Sequence, residues 1–376
     1  MMASPLLSNV STSIASPMVA AWSNSAVMGS GWMFSSIIFS TYFTTEFLKY
    51  EENGQASKIK DLNNDFILRQ HEFMKTHKRP LLQKQRQAIS EALKSLSRPQ
   101  LLTLYRFSGS LLMGIFVHTN VFAWKQRLLD TIKYMPDFAL SAIFLFVANY
   151  SNSIALDRIG ISLTYTSKCI IPLITVLLSV SVDGLKALPC LPALLMLIPI
   201  ATGVALTSWS SPTFEKKGFI AAMLSSTAQA ALNVSSKRAL SHTKISGLDA
   251  QRSMASVAFI IAIFMSLQTS IKSKLKMITD GDDTEISTKS NVPPSLPPFS
   301  LSLAAAAAYH YEYVLSFIFL NLVQPISYGT CDAVRRLGII VAGRAFFGGE
   351  PFSSLNYIGI TLALLGATGY SIFSAR

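Results

Sequence analysis

The chain has 376 residues, of which 50% are hydrophobic and 14% charged, with a mean hydropathy of +0.40. Soluble domains carry about 25% charged residues, so water is not the main solvent here, and disordered, collagen-like and disulfide-stapled classes are excluded as well. The formal net charge of +12 comes from 32 Lys and Arg against 20 Asp and Glu. No zinc, RNP or basic-helix pattern accompanies it, which argues against nucleic acid and for an anionic membrane surface or an anionic small molecule.

Ten spanning helices of about 20 residues would use most of the chain. Residues 1–21 are a Ser-rich N-terminal tail without a charged side chain, so neither a signal peptide nor an Arg-rich transit peptide fits well. A first transmembrane helix is expected at 22–48, through Trp32, Phe34, Ile37, Ile38, Phe39 and Tyr42. Residues 49–99 form a charged helical insertion, in which Ala88, Ile89, Ala92, Leu93 and Leu96 recur at helical spacing. That pattern fits an amphipathic helix on the membrane surface or against the bundle, and equally a solvated linker with some helix.

Helices two to seven are expected within 100–271, near 100–123, 137–156, 160–182, 188–209, 218–237 and 249–271. Residues 272–298 hold Asp280, Asp282, Asp283 and Glu285, then Pro293, Pro294, Pro297 and Pro298. Such a composition cannot build a packed core and predicts a disordered loop. Helices eight to ten fall within 299–376, near 299–322, 327–347 and 353–374. Short loops carry Lys125, Arg127, Lys133, Lys186, Lys237, Arg238 and Lys244 on one side, but only Arg158, Lys216 and Lys217 on the other. The positive-inside rule therefore puts both termini in the cytosol. Cys169, Cys190 and Cys331 lack metal-ligand spacing and read as inert thiols.

Ala201-Thr202-Gly203 recurs as Ala367-Thr368-Gly369, 166 residues later, and Lys168 falls opposite Arg335 at nearly the same offset. A repeat with five spans per half must invert its second copy, and such folds hold substrate at the midplane between the halves. The expected fold class is an all-α membrane protein of ten transmembrane helices in two inverted five-helix halves.

A Lys or Arg at the bilayer centre costs about 2.5–3.5 kcal/mol on insertion scales, so embedded cations need a reason. Lys168 closes the polar run Thr164-Tyr165-Thr166-Ser167-Lys168, and Pro172 follows one turn later. The proline removes the N–H that would bond the Lys168 carbonyl, and it bends the helix. A kinked, polar-faced helix suits a cavity wall; a lysine snorkelling from an interfacial end is the other reading.

Arg335 and Arg336 lie midway along Ile326 to Phe347. Tyr328, Asp332 and Arg335 share a helical face at i, i+4 and i+7, and Asp332 is spaced to pair with Arg336. Guanidinium forks match phosphoryl groups well, whereas a buried Asp–Arg pair can also merely lock helices together. One acid cannot neutralise two arginines and Lys168, and the surplus charge calls for an anionic substrate. The run Tyr309-His310-Tyr311-Glu312-Tyr313 suits stacking on a ring or filling a core, and Glu312 suits a counter-ion for an arginine in the empty site. Gln229, Asn233 and Lys237 form a further polar stripe, with the lysine near a helix end. Arg106 and Arg344 are embedded without an assigned role. No P-loop, metal-ligand set, Ser/His/Asp or Cys/His constellation is present, so neither an enzyme nor a cofactor is expected.

The run Tyr309 to Arg376 resembles the C-terminal part of the triose-phosphate translocators and their relatives in the drug/metabolite transporter superfamily. CDAVRRLGIIVAGRAFFGGEPFSSLNYIGITLALLGATGYS, Cys331 to Ser371, carries most of the resemblance, with echoes in LTLYRFSGSLLMGIF, SLTYTSKCIIPLITVLLS and LNVSSKRAL. It covers about 100–374 and omits the 49–98 insertion. The resemblance implies ten helices in two inverted halves and strict antiport of organic phosphates or nucleotide sugars. In that family a lysine on the fourth helix, a Lys-Arg pair on the ninth and a tyrosine on the eighth hold phosphate. These fall on Lys168, on Arg335 and Arg336, and on Glu312, which Tyr311 and Tyr313 flank. The acid that usually follows the fourth-helix lysine is Ile171 here, and a histidine near the start of the ninth helix is Tyr328. The implied anion site is kept, while its selectivity residues differ.

The expected function is an alternating-access antiporter that exchanges an organic phosphate, such as a sugar phosphate, for inorganic phosphate. Its substrate-binding candidates are Lys168, Arg335, Arg336, Glu312, Tyr313, Tyr328 and Thr164. The alternatives are a nucleotide-sugar/nucleoside monophosphate antiporter of the secretory pathway, and a non-transporting scaffold acting through 49–98 or 272–298. The partners are a phosphorylated anionic small molecule and the lipid bilayer of an organelle, either the plastid inner envelope or the Golgi or endoplasmic reticulum.

Overall fold

A computed structural model describes residues 27–50, 89–116, 124–209, 214–279, 296–322, 325–348 and 353–373. Among them all regular structure is helical. The tail 1–21, the start of the first span, the insertion from 51 to 88 and the acidic, Pro-rich stretch 280–295 lie outside the described residues.

Helix α1 covers 27–48, and its middle, Ser35–Ser40, widens into a π-helix. The short helix α2 (89–94) follows, and Leu93 and Leu96 pack with Phe47 and Leu101 while Ile89 stays exposed. The C-terminal end of the insertion therefore packs against the bundle. Arg98–Phe116 is α3. The helical run Trp124–Ser167 breaks at Gly160, whose φ of +72° is a conformation that side chains disfavour. The break separates α4 (124–159) from α5, which runs from 161 through a 3-10 turn, Lys168–Ile170, into Ile171–Asp183. Helix α6 joins Leu191–Leu195 to Leu197–Trp209. Then come α7 (Lys216–Thr243), α8 (Gly247–Thr279), α9 (Phe299–Leu322), α10 (Pro325–Phe347) and α11 (Ser354–Phe373).

Two bounds differ most from the sequence expectation. Helix α4 starts at Trp124, not 137, because its polar first turns are anchored: buried Arg127 donates to the Ile115 carbonyl at 2.5 Å and Thr131 bonds back to the Arg127 carbonyl. Pro136 sits inside without ending the helix. Helix α8 continues to Thr279, so residues 272–279 are helix where a loop was expected.

Large apolar side chains cover the outer surface as well as filling the interior, and several polar side chains are buried. Ile198, Leu224, Phe264, Val341 and Leu365 face outward, while Asn149, Ser153, Thr166 and Ser226 are buried. Among the described residues, three helical stretches are long and apolar enough to cross a membrane by length and composition: Trp124–Val182, Leu191–Trp209 and Gly247–Leu275. Helix α10 is less apolar because Asp332, Arg335, Arg336 and Arg344 fall within it.

The packing pairs repeat. Helix α4 packs on α7 and α8, and α9 packs on α1 and α3; α5 packs on α7, and α10 on α1. Exchanging α1 with α7, α3 with α8, α4 with α9, α5 with α10 and α6 with α11 maps each of these pairs onto another. Two further contacts, α3 with α8 and α6 with α11, map onto themselves. The α6–α11 seam is where the Ala-Thr-Gly echo lies. A Cβ on Gly203 would come within 2.5 Å of the Ala363 nitrogen and the Gly359 oxygen, and one on Gly369 within 2.7 Å of Met196 Sδ. Small residues let the two backbones approach. One apolar core, with Phe107, Phe138, Met254 and Tyr309, joins α3, α4, α8 and α9. A second, with Cys169, Ile200, Ile340 and Ala363, joins α5, α6, α10 and α11. The polar cavity lies where these two cores meet.

Candidate anion-binding site

Pro172 supplies no N–H, so α5 tightens to a 3-10 turn at Lys168–Ile170 and the Lys168 carbonyl accepts from Ile171 N–H instead. The same carbonyl accepts from Arg336 Nη1, which reaches across from α10. The Lys168 ammonium lies 5.1 Å from the Tyr165 ring centroid. Among the described residues it has no carboxylate within ion-pair distance.

Asp332 lies one turn before the two arginines and holds both. Arg335 donates to Asp332 Oδ1 from Nε (3.0 Å) and Nη2 (2.7 Å), and Arg336 Nη2 donates to Asp332 Oδ2 at 2.5 Å. Arg335 Nη1 also donates to Glu312 Oε1 at 2.8 Å and to Ser36 Oγ at 2.7 Å. Ser36 Oγ in turn donates to Glu312 Oε1 at 2.9 Å. The guanidinium further packs over Trp32, 4.9 Å from its centroid. The π-helical stretch of α1 thus contributes Ser36 to the site, a common use of such a widening.

Lys168, Asp332, Arg335, Arg336, Glu312 and Trp32 border a cavity open to solvent, about 810 Å³ with its open mouth included. Arg106, Lys168, Arg335 and Arg336 line it against two carboxylates, Glu312 and Asp332, which leaves a formal surplus of two positive charges among the lining residues. The rest of the wall is polar and neutral, with Asn149, Asn152, Gln229, Asn233 and Ser316, or aromatic, with Tyr165, Tyr309 and Tyr313. Among the described residues, three buried atoms of this wall have no hydrogen-bond partner: Arg106 Nε, Arg336 Nε and Asn152 Oδ1. Buried polar atoms are normally satisfied, which sets these three apart from the rest of the wall.

Of the residues singled out in the sequence, Lys168, Arg335, Arg336, Glu312 and Tyr313 all border this cavity. Glu312 pairs with Arg335. Tyr313 accepts from Asn149 Nδ2 at 3.3 Å. In the aromatic run, Tyr309, Glu312 and Tyr313 face the cavity at i, i+3 and i+4, whereas Tyr311 is exposed and His310 bonds Ser110 elsewhere. Thr164 is a correction. It is fully buried, its hydroxyl donates back to the Gly160 carbonyl, and it does not border the cavity. Tyr328 lies in α10, but its side chain is outside the described residues. Gln229 bonds Asn233 and both line the cavity, while Lys237 is exposed as a snorkelling residue would be.

Sequence reasoning missed Trp32, Ser36, Asn149 and Asn152, and left Arg106 without a role. Asn149 and Asn152, at i and i+3 in an apolar run, were a readable signal. Ser36 was not, because a serine in a span is ordinary and its partners lie 276 and 299 positions away.

A family model described as the Triose-phosphate Transporter family matches residues 89–371. Phosphoenolpyruvate/phosphate translocator 2, chloroplastic, of Arabidopsis thaliana is 30% identical over 258 residues, covering 66% of this chain and 64% of the relative. Phosphoenolpyruvate/phosphate translocator 1, chloroplastic, of the same plant is 28% identical over 282 residues, covering 75% and 66%. Glucose-6-phosphate/phosphate translocator 1, chloroplastic, also of Arabidopsis thaliana, is 24% identical over 274 residues, covering 72% and 66%. The chain thus spans just under two thirds of the length of these relatives.

Proposed function

The chain belongs to the triose-phosphate transporter family, and from that premise we propose that it is a membrane antiporter exchanging an organic phosphate for inorganic phosphate by alternating access. The observation that carries this is the convergence of Lys168, Arg335 and Arg336 on one cavity whose lining has a surplus of two positive charges. A phosphoryl dianion cancels that surplus. Its oxygens accept from the Lys168 ammonium and from guanidinium edges that Asp332 holds in place, the fork geometry such groups favour. Relatives named for phosphoenolpyruvate/phosphate and glucose-6-phosphate/phosphate exchange support the substrate class.

Exchange has a physical cause. With the site empty the clustered cations repel across the α5–α10 contact and reorientation is slow; a bound anion removes the repulsion. The meeting of two cores at the cavity supports a rocking motion around it, and the two-fold packing pairs support ten crossings in two inverted halves. The outward apolar faces support a multi-pass protein, the chloroplastic relatives support a plastid-type membrane, and the loop charges support cytosolic termini. The reading requires no enzyme chemistry.

Counterflow in proteoliposomes tests it. Vesicles preloaded with inorganic phosphate take up labelled organic phosphates, and empty vesicles do not. Uptake driven only by internal nucleoside monophosphate moves the protein to nucleotide-sugar exchange, and folded protein silent under both loads is a scaffold.

A further inference from the structure

Helix α4 begins well before its uncharged run. Residues 138–156 carry no charge, and their helix rise of roughly 28 Å suffices for the hydrocarbon layer. The turns before them, 124–137, pack on one face and stay open on the other. Arg127, Thr131 and Phe138 are buried at i, i+4 and i+11, whereas Lys125, Leu128, Leu129, Ile132 and Lys133 are exposed at i, i+3, i+4, i+7 and i+8. Trp124 adds an exposed ring, and the Lys125 ammonium lies 5.7 Å from its centroid. An apolar stripe with a lysine at each end suits a helix seated at the headgroup boundary.

Neighbouring helices end at the same level. Arg127 bonds the Ile115 carbonyl in the last turn of α3, and the Thr131 carbonyl accepts from Ser253 near the start of α8 at 3.4 Å. Helices α4 and α7 run antiparallel through the Ser141–Ser235 bond and the bond from Ser225 to the Ala148 carbonyl. That register sets Lys133 level with the last turn of α7. The end of α7 and its link to α8 add exposed Lys237, Arg238 and Lys244. The arginines of this corner are satisfied inward, Arg127 on the Ile115 carbonyl and Arg252 on Asp249 and the Gly114 carbonyl. Five exposed basic side chains therefore stand against exposed Asp137 and half-buried Asp130, a formal surplus of three positive charges.

We propose that this rim, formed by the first turns of α4 and the end of α7, binds an anionic phospholipid. Its headgroup phosphate lies among Lys125, Lys133 and Lys244, and its glycerol and upper acyl chain lie along Leu128, Leu129 and Ile132. A water-soluble anion leaves the apolar stripe uncovered, and a zwitterionic lipid leaves the charge unmatched. Each basic side chain near an anionic headgroup layer favours it electrostatically. The inference goes beyond the antiporter reading and needs only that the helices sit in a bilayer.

The test is tryptophan quenching in phosphatidylcholine vesicles that hold a minor fraction of brominated phosphatidylglycerol or, in a parallel batch, of brominated phosphatidylcholine. The difference between the wild type and Trp124→Phe reads lipid at this rim. Brominated phosphatidylglycerol is expected to associate at least about fivefold better than its zwitterionic counterpart, or about 1 kcal/mol. The preference should fade in salt of about 1 M, where screening acts within about 3 Å. It should vanish when Lys125→Gln, Lys133→Gln and Lys244→Gln are combined, and persist when the same three positions become Arg. Equal quenching by the two lipids in the wild type overturns the proposal, and so does a preference that survives the three glutamines. If that combination fails to insert, the wild-type comparison and Lys133→Gln alone decide. The readout needs no transport: folded protein that exchanges no phosphate leaves the lipid site standing, and exchange without a lipid preference removes the lipid site alone.

Discussion

Arg336 donates a hydrogen bond to the main-chain carbonyl of Lys168, the acceptor that Pro172 leaves without its helical donor. The bond ties α10 to α5 at the position of the site lysine and gives its carbonyl a second donor beside Ile171 N–H. Asp332 holds the other edge of the same guanidinium. Arg336 thus positions the cavity wall as well as contributing charge.

Removing it should be severe. Breaking a buried ion pair costs about 3–5 kcal/mol, so Arg336→Ala is expected to lower exchange at least about a hundredfold while the protein still inserts. Arg336→Lys keeps the charge but not the fork, and is expected to recover only a small part. Initial rates at equal reconstituted protein decide, and wild-type exchange in either variant removes the assignment.

Pro172→Ala tests the same contact from the other side. Residue 172 would regain an N–H aimed at the Lys168 carbonyl and compete with Arg336 for it. A loss of about 1 kcal/mol predicts roughly fivefold slower exchange with no fall in Tm. Unchanged exchange would show that the carbonyl contact is incidental.

Glu312 occupies Arg335 in the empty cavity through Oε1. Glu312→Gln removes a negative charge and leaves Arg335 held by Asp332. Phosphate is then expected to bind several-fold tighter, about 1 kcal/mol, and to be released more slowly, so that maximal exchange falls. Weaker phosphate binding in this variant would mean that Glu312 assists the anion rather than competing with it.

Gly203 separates stability from binding. A side chain there runs into the backbone of α11 at Gly359 and Ala363. Gly203→Leu is expected to strain the seam by about 1–3 kcal/mol, lowering Tm while leaving the half-saturation concentration for phosphate close to wild type. A changed phosphate affinity at normal Tm would place the seam in the binding step.

Cys190 reports orientation. It is exposed just before α6, whereas Cys169 is buried. If both termini are cytosolic, a membrane-impermeant maleimide labels Cys190 from the cytosolic face only. Labelling solely from the opposite face inverts the topology.

The sequence by itself determined the solvent, the helical class and the three central cations. Each follows from composition or from the cost of charge within an apolar run, and neither needs a partner. Glu312 was readable as a counter-ion because a lone acid in a span beside cations has little else to do. The tertiary structure alone decided which groups share the cavity. The Ser36–Glu312–Arg335 link, the Arg336 bond to the Lys168 carbonyl and the placement of Arg106 against Thr44 all join distant segments. Helical periodicity assigns a residue to a face but not to a neighbour. Thr164 shows the limit: one turn before Lys168 and equally polar, it satisfies its own hydroxyl on the Gly160 carbonyl and turns away from the site. Local bonding settled Thr164, whereas packing between the two cores settled the rest.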